Sequence, residues 1–377
     1  MNRLFYILLL LTFLASCSDD KKRIANEKNI LGDWMRVNAK NEGGELSGEF
    51  FDLDAMGFAF YLNHHYDNKA GFFKEVEDGK WGKETYLGSD SKFRLTADSL
   101  YLFRPDNNKW HSYKIIKLTP DSLKFGRNGI TRSFKRFPAP KFKAPAFDEI
   151  ILSTSDCFGP CPISSTLINS NGKVVFNGQQ YTNYLGLFSG NISKEKYNRL
   201  QDNFRKIDFD SLNNEYTSGI TDQQTICTTF VKDGKIFKSV SDYARIAPLI
   251  FRMGYVPVEN LYQQIPLLAI SSPHYIPNFN YMMNATFING DMALRLKQSE
   301  TFLLMDYLRN GKTCKKRFAP RFKMHGFFTI NKFPEAETDG RYYTFVEKGR
   351  PVTIDIGFNF YDVNAKNWQW RKATKYD

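Results

Sequence analysis

Histidine and cysteine are both scarce, five of each in 377 residues. With so few, no His-Glu-x-x-His helix and no second Cys or His pair at zinc-ligand spacing can be assembled, so no metal is expected. A Gly-x-Ser-x-Gly elbow and a glycine-rich phosphate loop are also absent, and no catalytic residue is nominated. Long apolar runs are missing too. The stretch Leu4–Leu11 is unbroken but falls short of the roughly 20 residues a retained membrane helix needs. Nothing in the chain implies a cofactor.

What is abundant is aromatic. Phe (34) and Tyr (20) make up most of a 16% aromatic content, and such residues suit half-buried strands, so mainly β-structure is expected. The length allows two or three domains, each closing its own core. The formal net charge of +12 would suit anionic head groups or acidic glycans, against the commoner meaning of a solvated, soluble surface. No basic helix or RNA-binding aromatic motif accompanies it, so nucleic acid is not expected as a partner.

The amino terminus carries an address. Arg3, the apolar run and Leu14-Ala15-Ser16-Cys17 together resemble the lipobox of bacterial lipoproteins. That resemblance implies cleavage after residue 16 and lipidation of Cys17, with residues 17–28 as a tether. Ser18 at the next position resembles lipoproteins sent on to the outer membrane. Asp19-Asp20 resembles an acidic export tag of Bacteroidota-type lipoproteins, diluted by Lys21, Lys22 and Arg23. The expected location is therefore the outer membrane, on its periplasmic or cell-surface face, with the membrane as partner through the anchor. Lipidation would leave Cys157, Cys161, Cys227 and Cys314, an even number that permits disulfides outside the cytoplasm.

Residues 29–137 read as short strands: Phe58–Leu62, Phe93–Leu95, Leu100–Phe103, Trp110–Leu118, Leu123–Phe125 and Ile130–Phe134. Turn clusters separate them, which suggests an antiparallel barrel or sandwich, most simply a meander. Gly32-x-Trp34 and the repeated units Asp98-Ser99-Leu100 and Asp121-Ser122-Leu123 resemble the lipocalin-like domains of bacterial lipoproteins. By that resemblance Trp34 closes one end of the barrel as a core residue.

A proline-rich stretch, 138–147, marks a linker. Residues 148–265 read as α+β, with hairpins at Asn169–Gly172 and Asp233-Gly234, a helix capped by Ser193 and a second helix near Tyr243–Met253. Cys157-Phe158-Gly159-Pro160-Cys161-Pro162 resembles an uncharacterised domain of Bacteroidota-type lipoproteins. Cys157 and Cys161 are close enough to staple their loop, while redox work would ordinarily want two intervening residues at a helix start. Asp156 and Asp222 are candidates for an acid pair, against the commoner role of turn hydrogen bonding. Cys227 reads as a buried thiol.

Residues 266–377 read as strand-rich, with one helix capped by Ser299 and stopped by Gly311, and strands at Phe327–Ile330, Tyr342–Val346 and Val352–Tyr361. His64 and His65 read as turn residues, and Trp368 and Trp370 as packing or stacking residues. The resulting expectation is a non-enzymatic, lipid-anchored binding or scaffold protein for another envelope protein or glycan. Two alternatives stand beside it: a small hydrophobic ligand inside the first barrel, or a thiol oxidoreductase or hydrolase at the Cys157 loop.

Overall fold

A computed structural model describes residues 19–37, 56–75, 84–137, 144–271, 284–326, 335–347 and 349–374. Cys17, the apolar leader and the strand expected at Phe327–Ile330 lie outside the described residues. Two compact units divide between Ala139 and Pro140.

The first unit opens with a helix over residues 19–30, α1. Eight strands follow: β1 Gly32–Arg36, β2 Gly57–Phe60, β3 His65–Glu75, β4 Glu84–Leu95, β5 Ser99–Arg104, β6 Lys109–Leu118, β7 Ser122–Arg127 and β8 Ile130–Arg136. Each pairs with its sequence neighbour, and β1 pairs with β8 to close an antiparallel barrel. The repeated Asp-Ser-Leu units have a shared cause. At both turns a threonine hydroxyl accepts a strand-entry amide, Ser99 N on Thr96 Oγ1 at 3.0 Å and Ser122 N on Thr119 Oγ1 at 3.1 Å. Asn128-Gly129 takes positive φ at both positions, the conformation a two-residue hairpin needs.

Alternation sends Leu100, Leu102, Leu123 and Phe125 inward, where they meet Trp34, Phe58, Phe60, Tyr66, Phe72 and Phe134. Trp34 is fully buried on β1. Its indole N–H donates to the Ile30 carbonyl at the end of α1 (2.6 Å), and the Arg136 guanidinium lies 4.2 Å over its ring. Arg136 also donates to the carbonyls of Asn29 and Leu31, satisfying the open end of the helix. Phe125 and Phe134 stack at 5.2 Å. The described side chains leave an internal cavity of about 20 Å³, bordered by Tyr66, Asn68 and Phe125. That is room for about one water.

β3 has no counterpart among the strands expected from the sequence, and its interior explains why. Asn68 and Lys69 are buried in it, breaking the apolar alternation. Asn68 Nδ2 donates to the Gly71 carbonyl (2.9 Å), and Lys69 Nζ lies 3.4 Å from Asp67 and 3.9 Å from Asp33. Burial works against the Asp67 charge. Lys69 and the hydroxyls of Tyr61 and Ser89 more than offset it and hold the carboxyl below its ordinary value.

The second unit contains an eight-stranded sheet whose strands are β9 Glu149–Thr154, β10 Ile163–Asn169, β11 Lys173–Gln180, β12 Gly186–Asn191, β13 Glu215–Tyr216, β14 Thr225–Lys232, β15 Lys235–Tyr243 and β16 Leu268–Ala269. They run in the order β13-β15-β14-β9-β10-β11-β12-β16. The helices α2 (Lys194–Arg205) and α3 (Leu249–Glu259) pack together, with Phe204, Phe230 and Phe251 in mutual contact. Gly254 admits the Phe204 ring, because a Cβ there would stand 2.7 Å from it. Ser193 caps α2 as expected, accepting from Lys196 N. The second helix begins at Leu249 after Pro248, later than the stretch expected from Tyr243, because Tyr243 still belongs to β15.

A further eight-stranded sheet comes from residues beyond 284. It comprises β17 Ala285–Asn289, β18 Met292–Arg295, β19 Lys312–Cys314, β20 Phe322–Gly326, β21 Ala336–Thr338, β22 Tyr342–Glu347, β23 Arg350–Asp355 and β24 Arg371–Lys372. Its order is β19-β23-β22-β21-β20-β17-β18-β24. The helix α4, Gln298–Asn310, is buried almost all round, as a helix between two layers should be. Its Phe302, Leu303, Leu304 and Leu308 share one core with Ile151, Leu167 and Val175 of the first sheet and Phe287, Tyr343 and Ile354 of the second. The boundary expected between 265 and 266 therefore does not separate independent cores.

Three smaller expectations are corrected here. Ser299 lies in the first turn of α4 with its hydroxyl on Thr229 (2.8 Å), while Lys297 is the cap residue and its amide donates to Glu300 Oε2 (2.8 Å). The strand expected through Tyr361 stops at Asp355, and Phe360–Asn364 forms a short helix, α5. Asn359 caps it by accepting from Asp362 N at 2.8 Å, a signal hidden by the alternation of Phe358 and Phe360. The strand expected at Phe58–Leu62 ends at Phe60, and Leu62 is exposed. Trp368 and Trp370 pack on Phe360, Tyr361 and Phe322, and the Trp370 indole donates to the Tyr361 hydroxyl (2.9 Å).

Candidate recognition surface

The strand directions of the first sheet in the second unit gather several loops at one end. β9, β11 and β15 finish there, and β10, β12 and β14 begin there. That end carries the loops 155–162, 181–185, 217–224 and 244–248. Each presents an apolar side chain to solvent: Phe158 (88% exposed), Tyr181, Leu185, Ile220 and Ile246. With neighbouring strands about 4.8 Å apart, the span from β15 to β12 is roughly 24 Å.

The Phe158 loop is held from several directions. Cys157 and Cys161 are joined by a disulfide with their Cα atoms 5.8 Å apart. Ser155 N donates to the Thr225 carbonyl and Thr225 N to Ser155 Oγ, both at 2.9 Å. Gln224 Nε2 donates to the carbonyls of Ser155 (3.0 Å) and Pro162 (2.9 Å), closing both ends of the loop with one amide. Arg245 holds Gln224 Oε1 at 3.3 Å and is itself paired with Glu259 on α3.

The neighbouring turn is also built rather than loose. Asp242 is fully buried and accepts from Ile246 N, Ala247 N and the Tyr255 hydroxyl at 2.8, 2.9 and 3.0 Å. Burial raises its carboxyl above the ordinary range despite those bonds. Tyr181, Asp222, Ala244 and Arg245 all stand in the left-handed region, with φ from 53° to 66°. Backbone strain of that kind is retained where surrounding contacts over-determine the chain.

Asp156 and Asp222 reach this same end, but through the backbone. Phe158 N donates to the Asp222 carbonyl (3.0 Å) and Ser155 Oγ to the Asp156 carbonyl (2.9 Å). Both aspartates thus serve the loop as turn residues through their carbonyls. Residues 155–162 contain no helix, so the loop itself does not place the cysteines at a helix start. Cys227 is buried, 3.8 Å from Ser241 Oγ, and burial pushes its thiol up. Among the described residues no group of three or more His, Cys, Asp or Glu converges as a metal-ligand set, and no helix is long and apolar enough to cross a membrane. The clamps Gln224, Arg245 and Glu259 are not legible in the sequence, since nothing in their spacing marks them as neighbours.

The chain thus combines a closed barrel with a layered unit that presents a stapled, aromatic-tipped loop. Residues 148–262 match a family described as a domain of unknown function, DUF6438. No curated protein matches the chain. Among solved structures, the Helicobacter pylori beta clamp bound to DNA ligase peptide aligns at 8% identity over 78% of this chain and 91% of that one, with a TM-score of 0.14. A likeness that weak carries no argument about fold or function.

Proposed function

We propose that the chain is a lipid-anchored protein of the bacterial outer membrane, attached through Cys17, whose work is recognition of another envelope component rather than catalysis. The address rests on Leu4–Leu11 and Leu14-Ala15-Ser16-Cys17, and several acyl chains on one cysteine hold a domain at a bilayer persistently. The closed barrel with Trp34 buried at one end supports the lipocalin-like reading of the first unit.

The observation that carries the recognition role is Phe158, left in solvent at the tip of a loop fixed by a disulfide and by Gln224. An aromatic side chain presented on a pre-ordered loop loses little conformational freedom on binding and makes an effective anchor. The test has two readouts in the native host. Labelled palmitate should enter the wild-type chain and not Cys17→Ala, and a photo-crosslinking residue at position 158 should capture an envelope component on intact cells. An unlabelled chain found in the cytosol would overturn the anchoring, and an empty crosslink would overturn the role of Phe158.

A further inference from the structure

On the first unit, between α1 and the outer faces of β3, β4 and β6, lies an open groove of about 440 Å³. Its borders include Lys92 and Arg94, two residues apart on β4, with His64 and His65 at the β2–β3 turn and Trp110 from β6. This volume falls in the usual range for small-molecule sites.

The lining is organised. The Arg94 guanidinium sits 4.3 Å from the centre of the Trp110 ring, and Phe103 meets the same indole edge-on at 5.5 Å. The Trp110 ring is therefore held in place while 36% of the residue remains exposed. His64 adopts a left-handed backbone (φ 59°) with its ring 5.6 Å from Phe93, and His65 Nδ1 lies 2.9 Å from Asp90. The one acidic residue on the described border, Glu27, already faces Arg23 at 2.8 Å. The balance left to a ligand is cationic and sits beside a flat apolar ring.

We infer that this groove binds an acidic sugar, its carboxylate held by Lys92 and Arg94 and its ring packed against the part of Trp110 that Arg94 and Phe103 leave in solvent. Charge-assisted hydrogen bonds supply the first contact and the exposed indole the second. A groove open to solvent can admit a chain of sugars as well as one sugar. The inference concerns a site separate from Phe158 and goes beyond the proposed function, so its failure would leave both the Phe158 role and lipid attachment at Cys17 untouched.

The test titrates purified full-length protein with trigalacturonic acid, its fully methyl-esterified counterpart and a tetraglutamate peptide, followed by calorimetry. The acid should bind saturably and the uncharged ester about tenfold more weakly. Arg94→Ala and Lys92→Ala should each weaken binding about tenfold and flatten its salt dependence. Trp110→Phe, which keeps every charge, should weaken it less than Trp110→Ala, while Lys194→Ala on exposed α2 should change nothing. Absence of saturable binding, equal binding of acid and ester, or indifference to Arg94 and Trp110 would overturn the inference. Tetraglutamate binding as tightly as the sugar would overturn the sugar assignment.

Discussion

Arg245 grips Glu259 with both terminal nitrogens, Nη1 on Oε2 at 3.0 Å and Nη2 on Oε1 at 2.6 Å, and Nη2 also reaches Gln224 at 3.3 Å. One guanidinium thereby ties α3 to the amide that closes the Phe158 loop. Glu259→Gln should cost about 1–3 kcal/mol and loosen the loop. Hydrogen exchange at the Phe158 amide, bonded to Asp222, checks it: faster exchange in the variant is expected, and an unchanged rate would sever the proposed link.

Reducing the Cys157–Cys161 bond opens a loop with a sequence separation of only 4. Chain-entropy arithmetic for so short a loop predicts a loss of about 2 kcal/mol. Thermal unfolding with and without reductant measures it. Because Gln224 and Ser155 still hold both ends, the circular dichroism of the reduced protein should stay native below the transition.

Glu149 introduces a pH dependence. Burial, with Asp306 and Asp148 nearby, pushes its carboxyl from 4.5 up to about 7, although Tyr307 donates to it at 3.0 Å and pulls the other way. The folded state thus holds the proton more tightly than the unfolded chain, so this group's contribution to stability falls as pH rises from 4.5 through about 7. Glu149→Gln should stabilise by on the order of 1–3 kcal/mol at pH 8 relative to its effect at pH 4. Urea unfolding at the two pH values decides it, and an effect of equal size at both would contradict the assignment.

Phe125 plugs the barrel between Phe134 and Tyr113, whose rings both lie 5.2 Å away. Phe125→Ala should cost about 3–5 kcal/mol and leave an apolar void. Such a void should take up benzene, which the wild type should not, and the uptake is measurable as a rise in melting temperature in benzene-saturated buffer.

Much of the barrel was legible because its hairpins announce themselves locally. Thr-x-Asp-Ser-Leu and Asn-Gly place the turns, and two-residue alternation places the faces. β3 was not, because Asn68, Lys69 and Asp67 are satisfied by polar partners and leave no apolar pattern to read. The sharing of one core by α4 and two sheets is a matter of residues more than a hundred positions apart, such as Ile151 and Phe302. Of the candidate surface, the cysteine loop stood out in the sequence by its spacing. Its supports, from Gln224 to Glu259, are polar residues whose meaning exists only once the strands are in register.

The central strands β9, β10 and β14 are covered on both sides, and one of those covers comes from α4. A fragment cut out at the 148–262 limits of the matched family would lay Ile151, Leu167 and Val175 open to water. Such an excised piece should aggregate where the full second unit does not, and an expression boundary that keeps this cover has to carry the chain on past Asn310.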